Sequence, residues 1–356
     1  MPDDKHHAID LASQKAVEDA ARRFRDDFAA CAGEVGKVIV GQTDTVEALL
    51  TCLFADGHAL LEGVPGIGKT LLIRTLGRVL SLSFGRVQFT PDLMPADITG
   101  TTVVRETPAG TGGGLKREFV FEKGPIFAQL VLADEINRAT PKTQSALLEA
   151  MQERRVTVSG LTHELPAPFF VMATQNPIEQ EGTYPLPEAQ LDRFFFKILV
   201  GYANRGETLE ILRRTTSGAQ AEPNVVLDAQ AVRRHQFLVR AVAAPENVAD
   251  YAVRMVLATH SGLSYGGARM PAGEFATAMV KQYVRVGASP RAAQALLLGA
   301  KVRALLSGRV AIALEDVRHV APLALRHRII TNFESQAEGV STDDIVTNIV
   351  ETLPRQ

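Results

Sequence analysis

Residues 63–70 are Gly63-Val64-Pro65-Gly66-Ile67-Gly68-Lys69-Thr70. This stretch matches the pattern G-x-x-x-x-G-K-[ST], in which the backbone N–H groups of a glycine-rich loop surround phosphate oxygens. Lys69 is predicted to reach the β- and γ-phosphates, and the Thr70 hydroxyl is predicted to bind Mg²⁺. A buried strand is predicted before the loop over His58–Glu62 and a helix after it over Thr70–Leu80, so the phosphates would meet a helix N-terminus. The stretch therefore predicts a site for a nucleoside triphosphate.

A second apolar run, Leu130–Ala133, ends in two carboxylates, Asp134 and Glu135. The run is typical of a buried parallel strand, and the carboxyl ends of such strands are where these sheets bind ligands. Asp134 is expected to hold Mg²⁺ through its water shell. Glu135 is expected to orient the attacking water or accept its proton. Together with the glycine-rich loop, this pair predicts hydrolysis of the nucleotide and not binding alone.

Composition narrows the class of protein. A chain of 356 residues is long for a single core, so two domains are expected. The formal net charge of -2 gives no general attraction to nucleic acid or to an anionic membrane. No apolar run approaches the roughly 20 residues that span a bilayer, so no membrane insertion is predicted. Cys31 and Cys52 lie on helical apolar stripes and are expected to be core residues, which favours a reducing cytoplasm.

The order of patterns along the chain predicts an α/β fold. Strand-like and helical segments alternate up to about Gly201, which indicates a parallel sheet with right-handed crossovers. Helical patterns fill the remainder, which is predicted to be an all-α lid domain. The predicted domains are an N-terminal helical segment over 1–36, a nucleotide-binding core over 37–212 and a lid over 213–356. The remaining predicted strands of the core are Arg86–Thr90, Leu130–Ala133, Phe169–Thr174 and Phe194–Val200.

Two hairpin inserts are predicted within the core. The first pairs Thr101–Val104 with Glu118–Glu122 around a glycine-rich tip, and the second lies within Arg155–Leu165. Inserts on a rigid sheet are common sites of partner contact, although plain surface decoration is the alternative interpretation.

Several long strings resemble the MoxR family of AAA+ ATPases. The resemblance extends from about Val38 to Ile330 and implies a P-loop AAA+ core with two hairpin inserts, a helical lid and a hexameric ring. The first insert is longer than is usual in that family. The strings that carry the resemblance are Phe89–Gly100, Ala133–Ala139, Ala173–Pro177 and Leu186–Phe194.

The resemblance also implies roles for single residues. Asn176 would hydrogen-bond the γ-phosphate or its water, and Arg193 would be an arginine finger that reaches the nucleotide of a neighbouring subunit. Arg291 resembles the second sensor of the lid, and the sequence leaves open whether it acts on its own nucleotide or on a neighbour's. Gln88, at the end of a predicted strand, is either an orienting partner of Glu135 or a plain exposed glutamine.

The adenine side of the nucleotide is expected at Val38–Gln42, as in related ATPases. Within this segment Val40 and Gly41 are the predicted contacts, and Leu71 is predicted to contact the nucleotide from the helix after the loop.

The family implies an ATP-driven, chaperone-like machine that matures or activates a separate protein complex. A partner with a von Willebrand A-type domain would be a different chain, because no Asp-x-Ser-x-Ser signature occurs here. The alternatives are a nucleic-acid motor, a protein unfoldase and the motor subunit of a metal chelatase. The predicted second hairpin tip, Ser159–Thr162, has no Lys or Arg for nucleic acid, and neither insert tip has the aromatic pore loop of an unfoldase.

Overall fold

A parallel sheet forms the centre of the nucleotide-binding half of the molecule. The computed structural model describes residues 14–64, 66–109, 114–177, 182–216, 221–262 and 273–355. Five strands pair in parallel in the order β2-β5-β8-β1-β9, which confirms the predicted α/β class. Their bounds are β1 Ala59–Gly63, β2 Phe84–Gln88, β5 Leu130–Asp134, β8 Phe170–Gln175 and β9 Phe196–Val200.

The three interior strands are almost continuously apolar, because helices cover both faces of the sheet. β5 and β8 end in the polar residues Asp134 and Gln175, and β1 ends in Gly63, the first residue of the glycine-rich loop. The bounds of these five sheet strands differ from the predicted bounds by one or two residues. Phe194, for example, is fully buried but lies in the turn before β9 and not in the strand.

Core helices connect these strands. α3 starts at Lys69, directly after Gly68, so the glycine-rich loop passes straight into a helix N-terminus. α5 begins at Pro141, directly after its N-cap Thr140, and this proline occupies a first-turn position where no N–H is needed. The helices of the core are α2 Thr43–Phe54, α3 Lys69–Val79, α4 Pro95–Thr99, α5 Pro141–Glu153, α6 Glu188–Leu191 and α7 Arg205–Thr216.

The C-terminal part is helical, as predicted, and α11 lies at its centre, in contact with α8, α9 and α12. A short antiparallel pair of strands also occurs there, which the sequence did not predict because each strand is too short to show a period. No helix in the described ranges is long and apolar enough to cross a membrane. The elements are α8 Ala229–Ala241, α9 Glu246–Ala258, α10 Ala278–Tyr283, β10 Val284–Val286, α11 Pro290–Leu306, α12 Leu314–Leu325, β11 Ile330–Thr331, α13 Phe333–Glu338 and α14 Thr342–Thr352.

A long N-terminal helix, α1 Gln14–Val38, joins the two parts. Its apolar stripe is buried as predicted, and Phe24 lies between Phe54 of α2 and His235 of α8, with ring centroids 5.2 Å and 5.1 Å away. His235 Nε2 is also 2.8 Å from a carboxylate oxygen of Asp27 on the same helix. α1 therefore packs against the core and the lid at once.

Both predicted inserts are hairpins. The first insert is β3 Gly100–Ala109 with β4 Gly114–Lys123, and the second insert is β6 Arg155–Val158 with β7 Leu161–Glu164. The glycine-rich tip of the first, residues 110–113, lies outside the described residues. The inserts touch each other, since the Phe121 ring stacks on His163 at a centroid distance of 4.0 Å.

Cys31 and Cys52 are free thiols with no exposed surface. Burial, with a smaller contribution from Asp27, raises the pKa of Cys31 to about 12, and burial raises the pKa of Cys52 well above its ordinary value. The prediction that both are core residues is confirmed.

Truncation of Phe24 should destabilise the whole molecule. Phe24→Ala removes a fully buried ring, so we expect the free energy of unfolding to fall by about 3–5 kcal/mol. Phe119→Ala is the matched control, because Phe119 is 77 % exposed and should change stability by no more than about 0.5 kcal/mol. Denaturant titration measures both variants. Equal effects would contradict the packing of α1 described above.

Candidate active site

The glycines of the phosphate loop meet different needs. Gly66 and Gly68 have φ values of 83° and 80°, a left-handed conformation that only glycine adopts without strain. A Cβ atom at either position would find no described atom within 4 Å, so both face open space that a phosphate can occupy. At Gly63 a Cβ atom would lie 2.6 Å from the Val200 carbonyl oxygen, so β1 and β9 require a glycine there. Pro65 lies outside the described residues.

Lys69 points to the edge of the sheet where the loop opens. Its Nζ donates to the carbonyl oxygen of Gly63 at 2.5 Å and lies 3.4 Å from that of Gln175. Desolvation lowers the pKa of Lys69, and the nearby carboxylates of Asp134 and Glu135 oppose that shift. Thr70, the next residue of α3, is half-buried, as is Val64 on the loop. The ammonium group is thus held between the ends of β1 and β8.

One hydroxyl fixes both acidic residues. Thr174 Oγ1 donates to Asp134 Oδ1 at 2.8 Å and accepts from the Glu135 N–H at 2.8 Å. Glu135 has a φ of 57°, a left-handed conformation that costs a residue with a side chain about 1–3 kcal/mol. Thr174 was not predicted as a site residue from the sequence. The only signal for it was a lone hydroxyl in an otherwise apolar strand.

Further polar side chains surround the same carboxylates. Arg86 lies 2.8 Å from Asp134 Oδ2, and Gln88 and Arg138 each lie 3.0 Å from Glu135 Oε2. The register pairs Gln88 with Asp134, which places its side chain beside Glu135 and favours an orienting role for it. Neither Arg86 nor Arg138 was predicted as a site residue from the sequence. Both arginine side chains are partly exposed, which weakens these ion pairs.

Asn176 lies at the same edge of the sheet. It directly follows β8, which sits between β1 and β5, and its side chain is buried. The structure therefore brings Asn176 together with the phosphate loop and the acidic pair.

A cavity of about 830 Å³ opens beside the phosphate loop, within the size range of small-molecule sites. We call it the nucleotide cavity. It lies between the junction of α1 and α2, the loop, the end of β9 and α7, and its lining includes Val40, Gly41, Ile67 and Leu71. Gln42 Nε2 donates to the Ile67 carbonyl oxygen at 2.9 Å, which ties the predicted adenine segment to the loop.

Arg193 and Arg291 lie close to each other and away from the phosphate loop. Both line a cavity of about 230 Å³ that shares no lining residue with the nucleotide cavity, and we call it the arginine cavity. Arg193 precedes the amino end of β9, whereas the phosphate loop follows the carboxyl end of β1. β9 and β1 pair in parallel, so a strand length of about 16 Å separates the two. Arg193 is half-buried and Arg291 is exposed.

The sheet order, the glycine-rich loop, the acidic pair and the helical lid define a P-loop ATPase of the AAA type. Residues 58–196 match the family described as "ATPase family associated with various cellular activities (AAA)", and residues 276–349 match the AAA lid domain.

Relatives of similar length carry the assignment further. The chain is 44% identical over 325 residues to "Chaperone MoxR1" of Mycobacterium tuberculosis, which covers 90% of this chain and 80% of the relative. It is 31% identical over 349 residues to "Protein MoxR" of Methylorubrum extorquens, which covers 93% of this chain and 96% of the relative. A crystal structure of a protein from Cytophaga hutchinsonii, assigned as an ATPase, has a TM-score of 0.84 and 39% identity, and the match covers 96% of this chain and 98% of that one.

The chain belongs to the MoxR family of AAA+ ATPases, and it is an ATP hydrolase. The resemblance seen in its sequence is thereby confirmed.

Loss of the Thr174 hydroxyl should slow hydrolysis. Thr174→Val keeps the shape of the side chain but removes a hydrogen bond to a carboxylate, so we expect kcat to fall about 10- to 100-fold. ATP affinity should stay within about threefold, because Thr174 lies behind the acidic pair and outside the nucleotide cavity. Thr174→Ser, which keeps the hydroxyl, is the control. A wild-type kcat in Thr174→Val would contradict the role given to this residue.

Proposed function

We propose that the sheet edge described above hydrolyses Mg²⁺-ATP. Thr70 and Asp134 offer the oxygen donors that Mg²⁺ prefers and would hold the ion, whose charge would offset that of the phosphates. The loop and Lys69 bind the phosphates, Glu135 orients the attacking water, and Asn176 contacts the γ-phosphate or that water. The observation that carries this proposal is the Thr174 hydroxyl, which holds the Asp134 carboxylate and the Glu135 backbone N–H at the edge where the loop opens.

We infer that each site is completed by a neighbouring subunit in a ring, which the family resemblance suggests is hexameric. Arg193 and Arg291 line one cavity that is separate from the nucleotide cavity of the same chain. In a head-to-tail ring, the surface that bears both arginines meets the next subunit's nucleotide. We therefore propose that Arg291, like Arg193, acts on the nucleotide of the neighbouring subunit.

ATP turnover would drive the remodelling or maturation of a separate protein complex. The support is the 44% identity to a relative named as a chaperone and the inserts, which expose the apolar side chains of Val104, Phe119 and Leu161. A partner with a von Willebrand A-type domain, as in the resemblance, fits this role. The buried thiols Cys31 and Cys52 suit the reducing cytoplasm.

The charges on the first insert favour a protein partner over nucleic acid. Arg117 pairs with Glu106 at 2.8 Å, and Arg105 lies 3.9 Å from Glu122 across the hairpin. Cations that face carboxylates in this way do not form the continuous basic groove that single strands bind.

Two substitutions separate binding from hydrolysis. We expect Lys69→Ala to lose ATP binding, because it removes the ammonium group beside the phosphates. Glu135→Gln should bind ATP but lower kcat about 10²- to 10⁴-fold, since a neutral amide cannot accept the proton of the attacking water. Nucleotide titration and steady-state phosphate release measure these effects. Tight ATP binding by Lys69→Ala would contradict the assignment of the loop.

The same pair of variants tests the remodelling of a partner. The product of a neighbouring reading frame is purified and mixed with each variant in ATP. Glu135→Gln, fixed in its ATP-bound state, should retain the partner, whereas Lys69→Ala should not. Equal retention by both variants, with and without ATP, would argue against an ATP-driven cycle.

The action of Arg193 across a subunit boundary can be tested by mixing. Arg193→Ala should bind ATP normally and hydrolyse it about 10³-fold or more slowly, because it keeps its own pocket but loses the finger. A Glu135→Gln subunit keeps its Arg193 but cannot hydrolyse ATP in its own nucleotide site. A mixture of the two should regain part of the turnover, measured as phosphate release above the sum of the separate variants. No gain at any ratio, despite co-assembly, would rule out a finger that acts on the neighbour.

A further inference from the structure

The residue before Arg193 joins the core to the lid. Asp192 Oδ2 accepts a hydrogen bond from Ser289 Oγ at 2.8 Å, and Asp192 Oδ1 accepts one from Arg328 Nε at 2.9 Å. Ser289 and Arg328 both belong to the lid, while Asp192 belongs to the core. We call these three residues the latch.

Arg328 holds the turn that carries Arg193. Its guanidinium is buried and also donates to the carbonyl oxygens of Phe194 at 2.6 Å and Phe195 at 3.2 Å. Burial lowers the pKa of Arg328, and the Asp192 carboxylate opposes that shift. The backbone on the C-terminal side of Arg193 is therefore anchored to a lid residue.

Ser289 connects the same carboxylate to Arg291. Ser289 is the N-cap of α11, and its Oγ accepts from the Arg291 N–H at 3.1 Å while it donates to Asp192. Asp192 is adjacent to Arg193 along the chain, and the cap lies two residues from Arg291. The Asp192 carboxylate thus holds both the turn that carries Arg193 and the first turn of α11, which carries Arg291, and all three residues line the arginine cavity.

We propose that Asp192 is a positioning residue that, through Ser289 and Arg328, holds Arg193 and Arg291 at one fixed spacing for the γ-phosphate of a neighbouring subunit. The proposal rests on the action of these arginines across the subunit boundary. A displacement of about 1 Å in a catalytic group can cost about 10²-fold in rate. The latch therefore makes the finger follow the lid, so that any rotation of the lid moves both cations together.

The substitution is best made at Ser289. Removal of one partner of the buried Asp192–Arg328 pair would leave an unpaired buried charge and endanger folding. Ser289→Asp keeps an N-cap of equal quality for α11, but it cannot donate to Asp192 and places a like charge beside it. Ser289→Thr keeps both the cap and the donor and is the matched control.

We expect Ser289→Asp to lower kcat about 10- to 100-fold, with the KM for ATP within about twofold, because the nucleotide cavity is untouched. Ser289→Thr should retain a rate within about twofold of the unaltered chain. A rate for Ser289→Asp equal to that of Ser289→Thr would overturn the proposal.

Mixing experiments show whether Ser289→Asp impairs the arginine finger or the subunit's own nucleotide site. Ser289→Asp should regain turnover when it is mixed with Glu135→Gln, whose finger is intact, and should gain nothing with Arg193→Ala. Recovery with Arg193→Ala, or failure with Glu135→Gln despite ATP binding and co-assembly, would overturn the latch. The mixture of Arg193→Ala and Glu135→Gln is the reference. If the reference mixture shows no gain in turnover, the action of Arg193 across the subunit boundary is contradicted, and the role of the latch is contradicted with it. If the reference mixture gains turnover but the mixture of Ser289→Asp with Glu135→Gln does not, only the role of the latch is contradicted.

Discussion

Parallel pairing of β1 with its neighbours is the constraint on which the rest of the molecule depends. Because β1, β5 and β8 run in the same direction, their carboxyl ends bring the phosphate loop, the acidic pair and Asn176 to one edge. The same pairing sends the turn before β9 to the opposite edge, and Arg193 goes with it. One geometric rule therefore decides which groups a subunit supplies to its own nucleotide and which it offers elsewhere.

Hydrogen bonds then hold the charged side chains of the site in position. The Thr174 hydroxyl holds the Asp134 carboxylate and the Glu135 backbone N–H, and the Asp192 carboxylate receives hydrogen bonds from two lid residues. Both groups are partly or fully shielded from water, where a hydrogen bond to a charged partner is stronger and has few competitors. In such a site the charged side chains act on the substrate, while hydrogen-bonding residues such as Thr174 and Asp192 set the distances between them.

The sequence predicted what is local. The phosphate loop, its flanking strand and helix, and the Asp134–Glu135 pair each depend on adjacent residues, so a pattern could identify them. Thr174 and Ser289 could not be found in this way, because their roles arise from contacts across 40 and 97 positions of the chain. The β10 and β11 strands were missed because they are formed by tertiary pairing and not by a periodic signal. The role of Arg193 came from the family resemblance, and its place at the opposite edge depends on the pairing of β9 with β1.

The burial of both native thiols has a practical consequence. Cys31 and Cys52 are the only cysteines in the sequence, and both are fully enclosed. Since the thiolate is the nucleophile, neither will meet or attack a labelling reagent in the folded protein. A cysteine introduced at an exposed site such as position 119 would thus be the single reactive thiol of each subunit. Fluorescent or spin labels could then report distances between identical inserts in an assembly, without prior removal of the native residues.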